Sequence, residues 1–303
     1  MASTDDTTAL NTMAVSVKAR ALSESLPDLL VEARRLAQTV TAGWHGRKRA
    51  GPGETFWQFR PFHTGEPVKR IDWRRSARDT HLYVREREWE AAHTLWLWAD
   101  LSESMQFRSR LSATTKQHRA LLLQLTLANL LGDAGERVGV PDVVAPTASR
   151  NLAEKIATAL LHHKVQTAYP SAQNIRRFSD VLVFSDFLDP PDVTVEWIRK
   201  VAATGAKGHL VHILDPIEET FPFNGRMEFR DPETGSKLLA GRAEEWRRSY
   251  QDILAEHKHT IRSAARSAGW SYIEHHTDHS PNEPLLFLHA RLGDDARAFG
   301  GSA

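Results

Sequence analysis

The segment HTLWLWADLSES, residues 93–104, carries a nearly continuous apolar run over 93–99 and turns polar at Asp100. A run so short and so uniformly apolar suits a strand covered on both faces, since a half-exposed strand would alternate. The same texture returns at RVGV (137–140), VLVF (181–184) and HLVHIL (209–214), with SYIEHH (271–276) as a last strand and PDVVAP (141–146) as a short edge strand. Helical patterns lie between these runs. Leu121, Leu122, Leu125, Ala128, Leu130 and Leu131 form one apolar face that stops at Gly132. NLAEKIATALLHH (151–163) follows, with Asn151 placed to cap its N-terminus, and VTVEWIRKVAATG (193–205) ends on glycine. Strand–helix–strand repetition predicts an α/β fold with a doubly wound, mainly parallel sheet, because right-handed crossovers leave few other arrangements.

Working outward, residues 1–24 are small and polar and are expected to be mobile. Residues 25–90 join a helix to a hairpin-rich segment. Pro27 opens the helical pattern, with Leu26, Leu29, Leu30, Ala33 and Leu36 on one face, and the stretch after it is broken by Gly and Pro without a helical period. Residues 91–303 hold the α/β domain, including an insertion at 220–268. That insertion reads as a hairpin over 226–241, turning at Asp231–Gly235, and a long charged helix at about 242–268. A last helix is expected from Pro284 to Leu292.

The 303 residues are 41% hydrophobic and 25% charged, with a formal net charge of +1. That balance is ordinary for a soluble globular chain and gives no global signal for nucleic acid. With no cysteine, disulfides and thiolate metal sites are excluded. No run approaches the roughly 20 apolar residues of a membrane-spanning helix. The acidic start MASTDDTTALNT lacks the cationic and apolar parts of a secretory signal. The expectation is a cytoplasmic protein without a membrane span.

Two strand ends carry the chemistry. In an open parallel sheet, ligands bind beyond the carboxyl ends of the strands, where the winding reverses. WLWADLSES places Asp100, Ser102 and Ser104 after one apolar run, and VLVFSD places Asp186 after another. A carboxylate and two hydroxyls at alternate positions of a turn can all point at one cation, and hard oxygen ligands suit Mg2+, or another divalent cation such as Mn2+ or Ca2+. Thr167, in the loop before the Asp186 strand, is a candidate for completing the set, and Thr147 is its rival. The plainer alternative is that Ser and Asp after a strand cap the next helix.

A D-x-S-x-S turn after a first strand, a loop threonine and an aspartate after a later strand resemble the metal-ion-dependent adhesion site of von Willebrand factor A domains. FRPFHTGEPVKRIDWRRSARDTHLYVREREWE (59–90) resembles the signature of the domain of unknown function 58 family, which joins such a segment to a von Willebrand factor A-like domain. The resemblance spans roughly residues 45–215, and Glu66 stands where the family is expected to favour aspartate. It implies metal at Asp100, Ser102, Ser104, Thr167 and Asp186. It also implies a partner, since members are often encoded beside MoxR-type AAA+ ATPases.

Three classes of function follow. The first is a metal-dependent protein-binding module, an adaptor working with such an ATPase, in which neutral hydroxyl ligands leave the cation able to accept an acidic side chain from the partner. The second is a metal-dependent hydrolase at Asp100 and Asp186. Against it, Ser102 replaces the second acid of a D-x-D phosphatase pattern, and neither a G-x-S-x-G elbow nor a P-loop is present. The third is nucleic-acid binding through the Arg- and Trp-rich segment 45–90. There, interleaved acids favour internal ion pairs, with Asp72 paired to an arginine and Trp73 anchoring the segment against the sheet. HHTDH (275–279) has imidazoles close enough for zinc but no second ligand cluster, so a strand-end loop is expected.

Overall fold

The computed structural model describes residues 23–41, 58–62, 71, 73–78, 81–86, 93–162 and 168–300. The chain divides into two units, one of Met1–Gly43 with His93–Ala303 and one of Trp44–Ala92. Helix α1 (residues 23–41) therefore belongs with the α/β unit rather than with the hairpin-rich segment. Its apolar stripe, Leu26, Leu29, Ala33, Ala37 and Val40, is buried, and Arg34 reaches Glu154 at 3.0 Å. Pro27 falls inside this helix rather than opening it, since Ser23 is already helical. Most of residues 1–24 lie outside the described residues.

In the smaller unit, β1 (Gln58–Pro61) pairs antiparallel with β2 (Tyr83–Glu86), in the register Phe59 to Arg85 and Pro61 to Tyr83. Between them lies the single turn α2 (Trp73–Ser76), whose Ser76 hydroxyl accepts the Tyr83 N–H at 2.9 Å. Trp73 is exposed, and Asp72 lies outside the described residues.

The larger unit is built on six strands: β3 (Thr94–Ala99), β4 (Arg137–Val140), β5 (Val144–Thr147), β6 (Ser179–Ser185), β7 (Lys207–Leu214) and a last strand at Ser271–His276. Helices α3 (Lys116–Asp133), α4 (Leu152–His162), α5 (Pro191–Ala202) and the short α6 (Pro216–Thr220) connect them. A hairpin, β8 (Met227–Arg230) and β9 (Lys237–Ala240), and helix α7 (Arg247–Ser267) precede the last strand, β10 (Ser271–His276), and α8 (Asn282–Gly300) follows it. The sheet order is β10-β7-β6-β3-β4-β5, and every pairing is parallel except that of the edge strand β5 with β4. The fold is thus α/β with a mostly parallel central sheet.

Continuous burial explains the continuous apolar runs. All seven residues of β6, Leu95–Ala99 of β3 and Gly208–Leu214 of β7 are buried. Each fully buried Leu, Val or Phe contributes about 1.5–3 kcal/mol. Helix α3 is buried nearly all round, Gln124, Thr126 and Asn129 included, where the sequence suggested one apolar face. It packs on the sheet and on α4, and the charge of Glu32 on α1 bears on its Arg119 and His118. Its polar side chains turn inward to specific partners: Gln124 donates to the Leu97 carbonyl at 3.1 Å, and Thr126 donates to that of Leu122 at 2.6 Å. Gly208 is needed for packing, since a Cβ there would stand 2.1 Å from the Trp270 ring.

The winding reverses between β3 and β6. The chain leaves β3 through α3 towards β4 on one side, and leaves β6 through α5 towards β7 on the other. Beyond the carboxyl ends of these two strands lies the switch point at which such sheets bind ligands.

Candidate functional site

Asp100 follows β3 directly and continues its ladder, its N–H donating to the Phe184 carbonyl of β6 at 2.9 Å. Asp186 stands two residues past Phe184, so parallel pairing brings both strand-end acids to the switch point. Asp100 is buried and held by neutral donors: the Ser102 N–H to Oδ1 at 2.8 Å and the Ser185 hydroxyl to Oδ2 at 2.7 Å. Burial, and then the neighbouring charge of Asp186, push its carboxyl from an ordinary 3.8 up to about 7, against the pull of those hydrogen bonds. The Ser102 and Ser104 hydroxyl oxygens lie 3.2 Å apart.

Asp186 has a charged partner. Its Oδ2 receives the Lys116 ammonium at 2.8 Å and its Oδ1 the Leu188 N–H at 3.3 Å. Lys116 is fully buried and also reaches Glu218 Oε1 at 2.6 Å, with the Phe107 ring centroid 5.7 Å from its nitrogen. Burial opposes the ammonium, but Asp186 and Glu218 outweigh it and hold its pKa above the usual lysine range. Glu218 is in turn locked in a capping box. Its Oε2 accepts the Asp215 N–H at 2.7 Å, and Asp215 accepts from Ile217 at 3.0 Å. The second Asp215 oxygen accepts the Ser109 N–H at 2.9 Å, tying the loop after Ser104 to the end of β7.

A further carboxylate arrives from the hairpin. Glu233 Oε1 accepts the Ser104 N–H at 2.9 Å, although 129 positions separate the two residues. The turn that carries it is internally bonded, with Asp231 accepting from the Glu233 and Gly235 N–H groups at 2.9 Å each. A small apolar cluster of Phe221, Ala240 and Ala243, with Phe223, Met227, Phe229, Trp246 and Tyr250 against it, braces the hairpin. Asp189 titrates above its usual range through burial and the charges of Asp186 and Glu233.

The turn after Asp186 is equally restrained. Phe187 is buried with φ of 46°, a left-handed conformation that costs a non-glycine residue about 1 kcal/mol or more. Its N–H donates to the Ser185 hydroxyl at 3.0 Å, and its carbonyl lies 2.7 Å from His257 Nε2. Its ring stacks on Tyr169 and meets His212 edge-on.

Of the residues expected to share a site, the structure brings Asp100, Ser102, Ser104 and Asp186 together, and Thr167 lies outside the described residues. Thr147 does not join them. It pairs with Val138, level with Leu95, which puts it about 16 Å along the strands from Asp100 at roughly 3.3 Å per residue. Lys116, Glu218 and Glu233 were missed. A lysine opening a helix, against the helix dipole, was the signal for the first. The imidazoles of HHTDH are used structurally: His275 meets Arg119 at 3.0 Å and His276 meets Glu219 at 2.8 Å.

The residues present fit a hard divalent cation. Among the described residues, no group of three or more His, Cys, Asp or Glu side chains could hold a metal, so a cation held at this turn would need hydroxyl and water ligands. The hydroxyl spacing is close to the roughly 3.0 Å edge of an octahedron with metal–oxygen distances of about 2.1 Å. The Asp100 carboxyl, pushed up by burial and then by Asp186, would regain its charge beside a cation.

Residues 58–260 match the family model described as "Protein of unknown function DUF58". The chain belongs to the DUF58 family. Curated relatives include the uncharacterised proteins Rv1480 of Mycobacterium tuberculosis and Mb1516 of Mycobacterium bovis. Each is 24% identical over 276 residues and covers 85% of this DUF58 chain and 85% of its own length. Solved structures similar to it include the conserved hypothetical protein BatB of Bacteroides thetaiotaomicron, 14% identical with a TM-score of 0.39. An aerotolerance-related membrane protein of Bacteroides fragilis is 13% identical with a TM-score of 0.41. Both comparisons cover 67% of the DUF58 chain and 99% of the other. Among the described residues, no helix is long and apolar enough to cross a membrane.

Proposed function

We propose that the larger unit is a von Willebrand factor A-like domain that holds a divalent cation, Mg2+ by preference, and binds a protein partner through it. Asp100, Ser102 and Ser104 form the ligand turn, with Asp186 behind it. Thr167 is the fifth member of the set as read from the sequence. The observation that carries this reading is the turn after β3, where a buried carboxyl and two hydroxyls 3.2 Å apart stand at the switch point. A bound divalent cation would supply a positive centre with exchangeable water positions.

The ligand class is an acidic side chain. The Ser104 N–H already receives a carboxylate, that of Glu233, so the turn accepts this group from outside its own segment. A partner acid would replace a water on the cation beside that place, with the hairpin tip giving way. The partner class implied by the family resemblance is a MoxR-type AAA+ ATPase.

Calorimetric titration of Mg2+ into EDTA-treated protein tests the first half, with one saturable site expected in the wild type and none in Ser102→Ala/Ser104→Ala, without phosphoester turnover. Recovery of partners from native extract tests the second. Equal recovery in Mg2+, in EDTA and with the double variant would remove the reading.

A further inference from the structure

We propose that Lys116 is a built-in counter-cation of this site, competing with a divalent metal for the charge of Asp186 and so setting how strongly the Asp100 turn takes up metal. The inference rests on the reading of that turn as a cation site.

Lys116 is fully buried at the first position of α3, where the partial positive charge of the helix end opposes an ammonium. An ammonium in such a place is costly unless anions surround it. Two carboxylates do so, Asp186 just past the end of β6 at 2.8 Å and Glu218 on α6 at 2.6 Å. One of them is the acid expected to stand behind the metal, so Asp186 reaches the site with part of its charge already offset. Asp100, by contrast, is met by the neutral Ser185 hydroxyl and Ser102 N–H. The attraction left for a divalent ion is therefore concentrated on Asp100 and the two serine hydroxyls. Glu218 sets the share of Lys116 that falls on Asp186, because it takes part of the same ammonium while anchored to the Asp215 N–H.

The test is Mn2+ binding, read from the electron paramagnetic resonance of free Mn2+, for the wild type, Lys116→Met and Glu218→Gln. Circular dichroism checks that each is folded, and Lys200→Met, exposed on α5, is the charge control. Removing one unit of positive charge a few ångströms from a divalent ion, in a partly screened site, should tighten binding by about tenfold or more. Lys116→Met should show that gain, Glu218→Gln should bind several-fold more weakly, and the control should match the wild type. Should Lys116→Met fail to fold, the loss in Glu218→Gln decides. Saturable wild-type binding left unchanged by either folded variant would overturn the role of Lys116 while leaving the metal site standing. Binding by Lys116→Met alone would uphold the competition and refute a metal-loaded wild type. Binding by no folded variant would overturn both.

Discussion

Asp100→Asn removes the carboxyl that burial and Asp186 push up to about 7, and its effect should depend on pH. A carboxyl whose folded pKa lies above its unfolded value binds its proton more tightly in the folded chain. It therefore favours folding fully below about pH 4, and that contribution is lost as the pH rises to 7. The rise from 3.8 is about three units, and at about 1.4 kcal/mol per unit the loss is about 4 kcal/mol in metal-free protein. Asparagine keeps an acceptor for the Ser102 N–H and offers the Ser185 hydroxyl a donor, but cannot ionise. In EDTA, the stability of the variant relative to the wild type should grow by about 3 kcal/mol between pH 4.5 and pH 8.5, most of it below pH 7. Urea unfolding of both proteins at matched pH measures the difference, in which unrelated titrating groups cancel. A difference that changes by less than about 1 kcal/mol would show that Asp100 is not held as a protonated acid, and the electrostatic support for a cation at its turn would fall.

Glu233→Gln should speed hydrogen exchange at the Ser104 amide by several-fold to about tenfold, since a neutral acceptor replaces a charged one, while amides inside β3 exchange as before. Mass spectrometry of peptides covering 100–107 reads this, and unchanged exchange would mean that the hairpin tip does not rest on the turn. Gly208→Ala should cost about 2 kcal/mol or more by denaturant unfolding, because the added Cβ overlaps the Trp270 ring and both groups are buried.

The sheet was legible because buried parallel strands leave unbroken apolar runs, as β3, β6 and β7 do. The pairing of the Asp100 and Asp186 strands also followed, since acids directly after two such runs belong at a switch point. Other features lay in contacts that no local pattern records. Lys116 meets partners 70 and 102 positions away, and Glu233 meets one 129 positions away. Periodicity showed a turn at Asp231–Gly235 but not what its tip would touch. Gln124 of α3 broke the expected apolar face for a related reason: its partner, the Leu97 carbonyl, belongs to another element. Thr147 was a candidate by residue type alone, and the antiparallel course of β5 carries it to the opposite end of the sheet.

The left-handed turn at Phe187 bears on how long a ligand could be held. An ordinary loop surrenders about 1–2 kcal/mol of backbone entropy per residue when a ligand orders it. Clamped by Ser185, His257 and the Tyr169 ring, Phe187 has made that sacrifice during folding. Whatever arrives beside Asp186 finds a mould already set, so the free energy of its contacts goes into residence time rather than into assembling the receptor.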